Sequence, residues 1–463
     1  MKNKRYDFLS SRDVHYQFLV ELPKLIQRTD GFKILYSPKE FFSELLLAIS
    51  QAYRRICLVA LYLEGDQGGK KVFDALLRVK QIRPQVNIKV LVDWNRAQRR
   101  RFGPYRKSGN ATIKNVDWYA DIMNKYPHMD IPIYGIPINV NEVLGVLHLK
   151  GFIIDDQVLY SGASLSEEYL HVNDKYRYDR YHIIRNRKLS SIMLNYIDEE
   201  LLSAKVTNKL GCRDSLVNRL IKRNNIRLLR RNLRRVCYRY RGNNISSGNL
   251  AIAPLVGLGK NSALNKVIYH LISSVKNKIV LCTPYFNMPN VLMCAVVGVL
   301  RQNKKVEIIV GDKVANDFFI PMNKPFALFG ILPYLYEVNL RFFLKQLQEY
   351  IDNKQLEVRI WQEGCNGYHV KGIWVDDEWQ LLTGNNLNPR ALSLDLENAL
   401  LIHDPRGVLC MQNNKELNMI RTHTKLVMHY TVLQKISDYP EKIGQLLSNM
   451  HKIRFDKLIN RVL

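Results

Sequence analysis

No two cysteines in this 463-residue chain stand at the C-x-x-C spacing. The seven present, Cys57, Cys212, Cys237, Cys282, Cys294, Cys365 and Cys410, are odd in number and scattered. That argues against a zinc site and against a disulfide framework, and it predicts reduced thiols, most of them small core residues. Long apolar runs are also missing. The nearest candidate, residues 279–300, is broken by Pro284, Asn287, Pro289 and Asn290, which suits a buried strand and a buried helix better than a membrane span. The N-terminal stretch MKNKRYDFLSSRDVHYQFLVELPK lacks the apolar core of a signal peptide. Acidic residues are scarce, with 42 Asp and Glu against 69 Lys and Arg, a formal net charge of +27. Such a field draws nucleic acid, ribosomes, acidic lipid headgroups or phosphate substrates, and charge alone chooses among none of them. Apolar residues, by contrast, make up 47% of the chain, which allows real cores and excludes global disorder. The length suits two domains of about 200 residues each.

The two halves share one plan. Residues 54–63 (RRICLVALYL) read as a buried strand, 71–80 as a helix and 87–94 (NIKVLVDW) as a second strand. Roughly 220 residues later, 278–286 (KIVLCTPYF), 291–302 and 305–312 (KVEIIVGD) repeat that order. The alternation predicts an α/β fold with βαβ units and a mostly parallel sheet in each half. Between the halves, Lys205 to Arg241 contains RLIKRNNIRLLRRNLRRVCYRYR, with Asp214 as its only acidic residue. Leu216, Leu220, Ile226, Leu229 and Leu233 recur at helical spacing, so a basic amphipathic connector is expected. It is either the solvated face of a bridging helix or an electrostatic foot on anionic lipid or RNA. Residues 325–351, dense in Phe, Leu and Tyr, read as a core helix pair or as a lipid-facing surface. The division expected is a first lobe 1–204, a connector 205–247, a second lobe 248–406 and a helical, basic C-terminal segment 407–463.

Chemistry concentrates in two copies of one motif. HLKGFIIDD carries His148, Lys150, Asp155 and Asp156, and HVKGIWVDD carries His369, Lys371, Asp376 and Asp377, 221 residues further on. A strand period of two places each His and Lys on one face, with Leu147, Leu149, Tyr368 and Val370 on the other. Burying two His and two Lys on strands is costly unless they bind an anion. A phosphodiester repels nucleophiles, so Lys150 and Lys371 would first neutralise its oxygens. One imidazole would then attack phosphorus while the other handles the protons. Positive charge from the lysines makes a metal unnecessary. Asp179 and Glu397 precede matching apolar strands, where a carboxylate would fix an imidazole tautomer.

These motifs, with GASLSEEYL (162–170) and GNNLNPRAL (384–392), resemble the phospholipase D superfamily. DKYRYDRYH (174–182), ANDFFIP (315–321) and LLTGNNLNPRALSLDLENALLIHDP extend the likeness over nearly the whole chain, to the phospholipase-D-type phosphatidylserine synthases of Gram-negative bacteria. The resemblance implies two αβα sandwich lobes around a pseudo-twofold axis, with a helical connector and C-terminal helices. It implies transfer of a phosphatidyl group from CDP-diacylglycerol to L-serine through a phosphohistidine, releasing CMP, with no cofactor. It casts His148 as nucleophile and His369 as general acid/base, with Asp179 and Glu397 orienting them across the halves. Asp155 and Asp376 would support the motif. Many members carry Gly-Ser-x-Asn after the motif. Here Gly162-Ala163-Ser164-Leu165 and Gly384-Asn385-Asn386-Leu387 stand instead, the second one residue later relative to its Asp, which makes Asn386 and Asn388 the candidate substrate contacts. The resemblance further implies a cytoplasmic enzyme, peripheral on the inner face of the cytoplasmic membrane, with an anionic lipid surface and ribosomes as partners. Rival readings are a cardiolipin synthase, a hydrolase or a nuclease of the same superfamily, or a non-enzymatic ribosome- or RNA-binding protein.

Overall fold

A computed structural model describes residues 11–99, 114–211, 219–242, 248–321 and 323–452. Cys212, Asp214 and Leu216 of the connector and the C-terminal residues 453–463 lie outside the described residues, as does the side chain of Leu220. Strands of the first half are β1 (Leu25–Ile26), β2 (Phe32–Leu35), β3 (Arg55–Val59), β4 (Asn87–Asp93), β5 (Ile133–Ile136), β6 (Phe152–Ile154), β7 (Gln157–Ser161), β8 (Arg177–Tyr178), β9 (Tyr181–Arg185) and β10 (Asn208–Lys209). Those of the second are β11 (Ala251–Leu258), β12 (Lys278–Thr283), β13 (Lys305–Gly311), β14 (Leu356–Trp361), β15 (Gly367–Tyr368), β16 (Gly372–Val375), β17 (Trp379–Thr383), β18 (Leu396–His403) and β19 (Thr424–Leu426).

One sheet runs β10-β5-β4-β3-β6-β7-β9-β2, and the other runs β19-β14-β13-β12-β16-β17-β18-β11 with β1 beyond β11. Position by position the orders match, so β3, β4 and β5 correspond to β12, β13 and β14. The expectation of mostly parallel sheets is corrected. Within these two sheets only β3–β4, β4–β5, β12–β13 and β13–β14 pair in parallel, and the other neighbours run antiparallel. Helical crossovers such as Gln67–Ile82 and Asn290–Arg301 follow only the first strands of each half. After the His-x-Lys segments the chain turns in short hairpins, which impose antiparallel pairing.

Period-two alternation sorts side chains to the two faces of each sheet. Ile56 and Leu58 enter an outer core under the helices Pro38–Gln51 and Gln67–Ile82, whereas Cys57 and Val59 enter a central core. That central core is shared: Leu147 and Leu149 of the first half pack there with Val256, Leu396 and Leu400 of the second. Asp66 caps the helix Gln67–Ile82 by accepting from the Gly69 N–H, and Val72, Phe73, Leu76 and Leu77 form its buried stripe. The N-terminus crosses between halves. β1 pairs with β11, and Leu19 joins the outer core of the second sheet, so these residues of the expected first lobe belong structurally to the second. Likewise β10 of the expected connector completes the first sheet, and β19 of the C-terminal segment completes the second. Of the six described cysteines only Cys57 and Cys282 are buried, which corrects the expectation that most are core residues.

Both motif hairpins are tied down by their first aspartate. Asp155 accepts from the backbone N–H groups of Tyr53, Arg54 and Arg55 at 2.9–3.0 Å, and Asp376 from those of Lys276, Asn277 and Lys278 at 2.6–2.9 Å. Each thereby fixes the start of the neighbouring strand, β3 or β12. Asp155, Asp376 and Asp377 sit at φ 50°, 54° and 58°, a left-handed conformation that Asp tolerates better than most residues. The first turn has two residues between paired Ile154 and Gln157, and the second has three between Val375 and Trp379. The extra residue, Glu378, explains the later Gly384, and its carboxylate accepts from the Tyr16 hydroxyl at 2.7 Å. Replacing Asp155 with Ala strands three half-buried backbone donors, and urea unfolding should register a loss of about 2–4 kcal/mol, with a smaller loss of about 1–2 kcal/mol for Asp376→Ala, two of whose donors are exposed. A loss under about 0.5 kcal/mol, the range of an ordinary surface change, would show that the aspartates are not holding these strand ends.

Candidate active site

The segments carrying the motif histidines pair with the opposite half rather than with their own sheet. Leu147 bridges to Leu396, and the His148 N–H donates to the Leu396 carbonyl at 3.0 Å. The Lys150 N–H donates to Asn398 Oδ1 at 2.7 Å, and Asn398 Nδ2 returns a bond to the Lys150 carbonyl at 2.8 Å. In the second half, β15 pairs with β8 of the first, and the His369 N–H donates to the Tyr178 carbonyl at 2.8 Å. The expectation of His and Lys within the hairpin strands is thereby corrected, since those strands begin only at Phe152 and Gly372. The backbone before them is extended, so period two still holds, but its hydrogen bonds go across the lobe boundary.

Side chains follow the same exchange. His148 Nδ1 lies 2.9 Å from both carboxylate oxygens of Glu397, and His369 Nδ1 lies 2.8 Å from Asp179 Oδ2. Lys371 Nζ is 3.2 Å from Asp179 Oδ2 and also contacts His369 Nδ1. Both lysines and both carboxylates are buried. Two glycines make room for the lysines. A Cβ on Gly162 would lie 2.5 Å from Asp179 Oδ2 and 2.9 Å from Lys371 Nζ, and one on Gly384 would lie 2.7 Å from Lys150 Cγ.

Burial pushes the His148 pKa well below 6.5, and the charges of Lys150, Lys371, His369 and Arg390 push it further. His369 is lowered to about 4 by burial and Lys371, although Asp179 opposes the shift. Lys150 falls to about 8 through burial and the nearby Lys371. The carboxylates diverge. Burial, then the charge of Asp395, raises Glu397 well above its ordinary value. Burial acts on Asp179 in the same direction, but Lys371 and His369 outweigh it and leave the group lowered. Lys150, Lys371 and His369 all act on His148, so the four bases share one electrostatic neighbourhood. An incoming anion would find positive charge and two neutral ring nitrogens.

Asp155 and Asp376 hold strand ends, as described above. Asn388 Oδ1 caps the helix Pro389–Ser393 by accepting from the Ala391 N–H at 2.8 Å, and its Nδ2 donates to the Tyr285 hydroxyl at 3.0 Å. Asn386 Oδ1 is a buried acceptor without a partner, which suits a contact to a ligand. Residues not singled out beforehand complete the site. The Tyr169 hydroxyl sits 3.1 Å from His369 Nε2. Arg180 pairs with Glu416 through two bonds of 2.8 and 2.9 Å while donating to the carbonyls of Lys371 and Leu381, and its guanidinium stacks over Trp374. Arg180 and Asn398 each follow an orienting carboxylate and each bind the backbone of the opposite motif lysine, so superposing the repeats would have marked both. Tyr169 corresponds to Ala391 and left no such signal. Among the described residues no group of three or more His, Cys, Asp or Glu could hold a metal ion.

Residues 268–421 match the family described as "Cardiolipin synthase, PLD-like domain". The CDP-diacylglycerol–serine O-phosphatidyltransferase of Escherichia coli is 52% identical over 98% of this chain and 99% of its own length. The enzyme of the same description from Haemophilus influenzae is 45% identical over 96% of this chain and 98% of its own. A crystal structure of phosphatidylserine synthase from Haemophilus influenzae superposes with a TM-score of 0.92 at 44% identity, covering 98% of this chain and 100% of that one.

Ring-carbon NMR signals of His148 and His369 should report neutral imidazoles at pH 7, with His369 titrating near 4 rather than 6.5. Since both folded-state values lie below that of the unfolded chain, the unfolded chain gains more protons as pH drops below 6.5. Stability should therefore fall from pH 7 toward pH 4. A midpoint near 6.5 for either ring would show that the site does not exclude the charged form.

Proposed function

Because the chain belongs to the phospholipase-D-type CDP-diacylglycerol–serine O-phosphatidyltransferases, we propose that it moves a phosphatidyl group from CDP-diacylglycerol to L-serine through a phosphohistidine on His148. The observation that carries this reading is the pair of imidazoles, each backed by a carboxylate from the opposite half and flanked by a buried lysine. In the first step His148 Nε2 attacks phosphorus, a P–N bond forms, and the bond to the CMP oxygen breaks with its electron pair leaving on CMP. A phosphate monoester has a second pKa of about 6, so CMP departs at neutral pH without a strong acid behind it. In the second step the serine hydroxyl attacks phosphorus, the P–N pair returns to His148, and His369 Nε2 takes the hydroxyl proton.

A depressed His369 pKa suits that second duty, because a base must be neutral before it acts. Asp179, held ionised beside Nδ1, stabilises the imidazolium that then forms. Lys150 and Lys371 offset the charge on the non-bridging oxygens in both steps, and no step calls for a metal or cofactor. Asn386 is placed by this reading among the contacts to headgroup or phosphate.

The enzyme works, on the same reading, from the cytoplasmic side at an anionic lipid surface. No helix among the described residues is long and apolar enough to cross a membrane. The helix Arg219–Leu233 buries Ile226, Leu229 and Leu233 and leaves Arg223, Arg227 and Arg231 exposed, a face that suits acidic headgroups or a ribosome.

CDP-diacylglycerol labelled in its acyl chains, in mixed micelles with EDTA, tests the proposal. L-serine should accelerate CMP release and divert the label from phosphatidic acid to phosphatidylserine, and His148→Ala or His369→Ala should lower turnover by about a thousandfold or more. His369→Ala should accumulate acid-labile label on the protein, whereas His148→Ala should not. Label on His369 instead would exchange the two roles, and turnover surviving both changes would remove the histidines from catalysis.

A further inference from the structure

Two successive in-line displacements place the acceptor where the leaving group was, on the His369 side of phosphorus. What faces that side therefore selects the acceptor. Tyr169, whose hydroxyl is 3.1 Å from His369 Nε2, carries the Arg177 guanidinium over its ring at 5.1 Å. Arg177 belongs to β8, the strand that pairs with the two residues just before His369. Its guanidinium pairs with Asp317, Nε to Oδ1 at 3.1 Å and Nη1 to Oδ2 at 3.2 Å. Glu168, the other carboxylate on Arg177, is also engaged by Lys175 at 3.6 Å. The Asp317 side chain remains one-third exposed, with lone pairs on both oxygens to spare.

Asp317 lies in the ANDFFIP segment, which the catalytic reading leaves without a role. Its position is firm. The Phe318 N–H donates to Asn316 Oδ1 at 2.9 Å, and Phe318 and Phe319 pack against Phe329 and Tyr334. Burial raises the Asp317 pKa, but Arg177, His369 and Lys371 together lower it further, so it is ionised at pH 7 and its charge reaches the catalytic groups.

We propose that Asp317 is the subsite for the acceptor's ammonium group, receiving the cationic amine of an amino-alcohol acceptor such as serine and so favouring it over water at the phosphohistidine. A carboxylate–ammonium hydrogen bond is charge-assisted and is unavailable to a neutral acceptor. The same charge disfavours return of anionic CMP to the position it has just left. In the acceptor step the serine oxygen bonds to phosphorus, the P–N bond breaks toward His148, and the hydroxyl proton passes to His369. Asp317 touches only the amine.

This inference rests on the transferase reading, and a product ratio separates the two. Serine and water compete for one intermediate, giving phosphatidylserine and phosphatidic acid, so their ratio at fixed serine reports acceptor binding and not the first step. Asp317→Asn should lower that ratio tenfold or more, and Asp317→Glu should restore most of it. With 3-hydroxypropanoate, which is serine without its amine, wild type and Asp317→Asn should give similar ratios. A serine ratio within twofold of wild type in Asp317→Asn overturns the proposal. If Asp317→Asn forms neither product, Asp317→Glu decides. A wild-type serine preference there supports the subsite, whereas an altered preference or no product shows that Asp317 only braces Arg177. Absence of both lipid products in the wild-type enzyme would defeat the transferase reading itself.

Discussion

Each motif imidazole is held by a carboxylate that the other half of the chain supplies, and the rest of the structure answers to that exchange. Glu397 reaches His148, and Asp179 reaches His369. Both carboxylates are buried, and leaving a buried hydrogen-bonding group without its partner typically costs about 1–3 kcal/mol. Docking of the lobes and assembly of the site are thus one event. The shared central core, the Asn398 clamp on Lys150 and the Arg180–Glu416 pair near Lys371 all lie on this seam.

Electrostatics at the seam explains how the site waits for its substrate. Burial first, and then the charge of Lys371, bring Lys150 down to about 8. The field of the two lysines also keeps protons off the imidazoles, which preserves the nitrogen lone pairs at neutral pH. An anionic phosphodiester relieves the repulsion, so the resting strain favours binding of the charge that the reaction needs.

Much of the plan was legible in the amino-acid order because it repeats. The two His-x-Lys motifs, the matching strand–helix–strand units and the paired carboxylates Asp179 and Glu397 all recur at an offset of roughly 220 residues. A residue type recurring at equivalent positions of two lobes carries chemical meaning that a single copy lacks. What could not be read was anything depending on which backbone faces which. β1 lies in the first half by position and in the second by pairing. The motif histidines sit outside their hairpin strands because their amides bond across the lobe boundary. Parallel order was over-read because the helical crossovers end where the hairpins begin. Tyr169 and Asp317 lie off the repeat, where one copy differs from the other, and only three dimensions bring Tyr169 to His369 and Asp317 to Arg177.

The crossed carboxylates also fix when the site can first assemble. A ribosome extrudes His148 and the whole first sheet well before residue 397 has been made. Until the second lobe docks, that histidine lacks the partner that sets its tautomer. The emerging half-protein therefore carries that imidazole without its carboxylate, and the paired arrangement is complete only once β18 of the second sheet has been synthesised and folded. Timing of this kind needs no inhibitor or propeptide, because the connectivity of the chain supplies it.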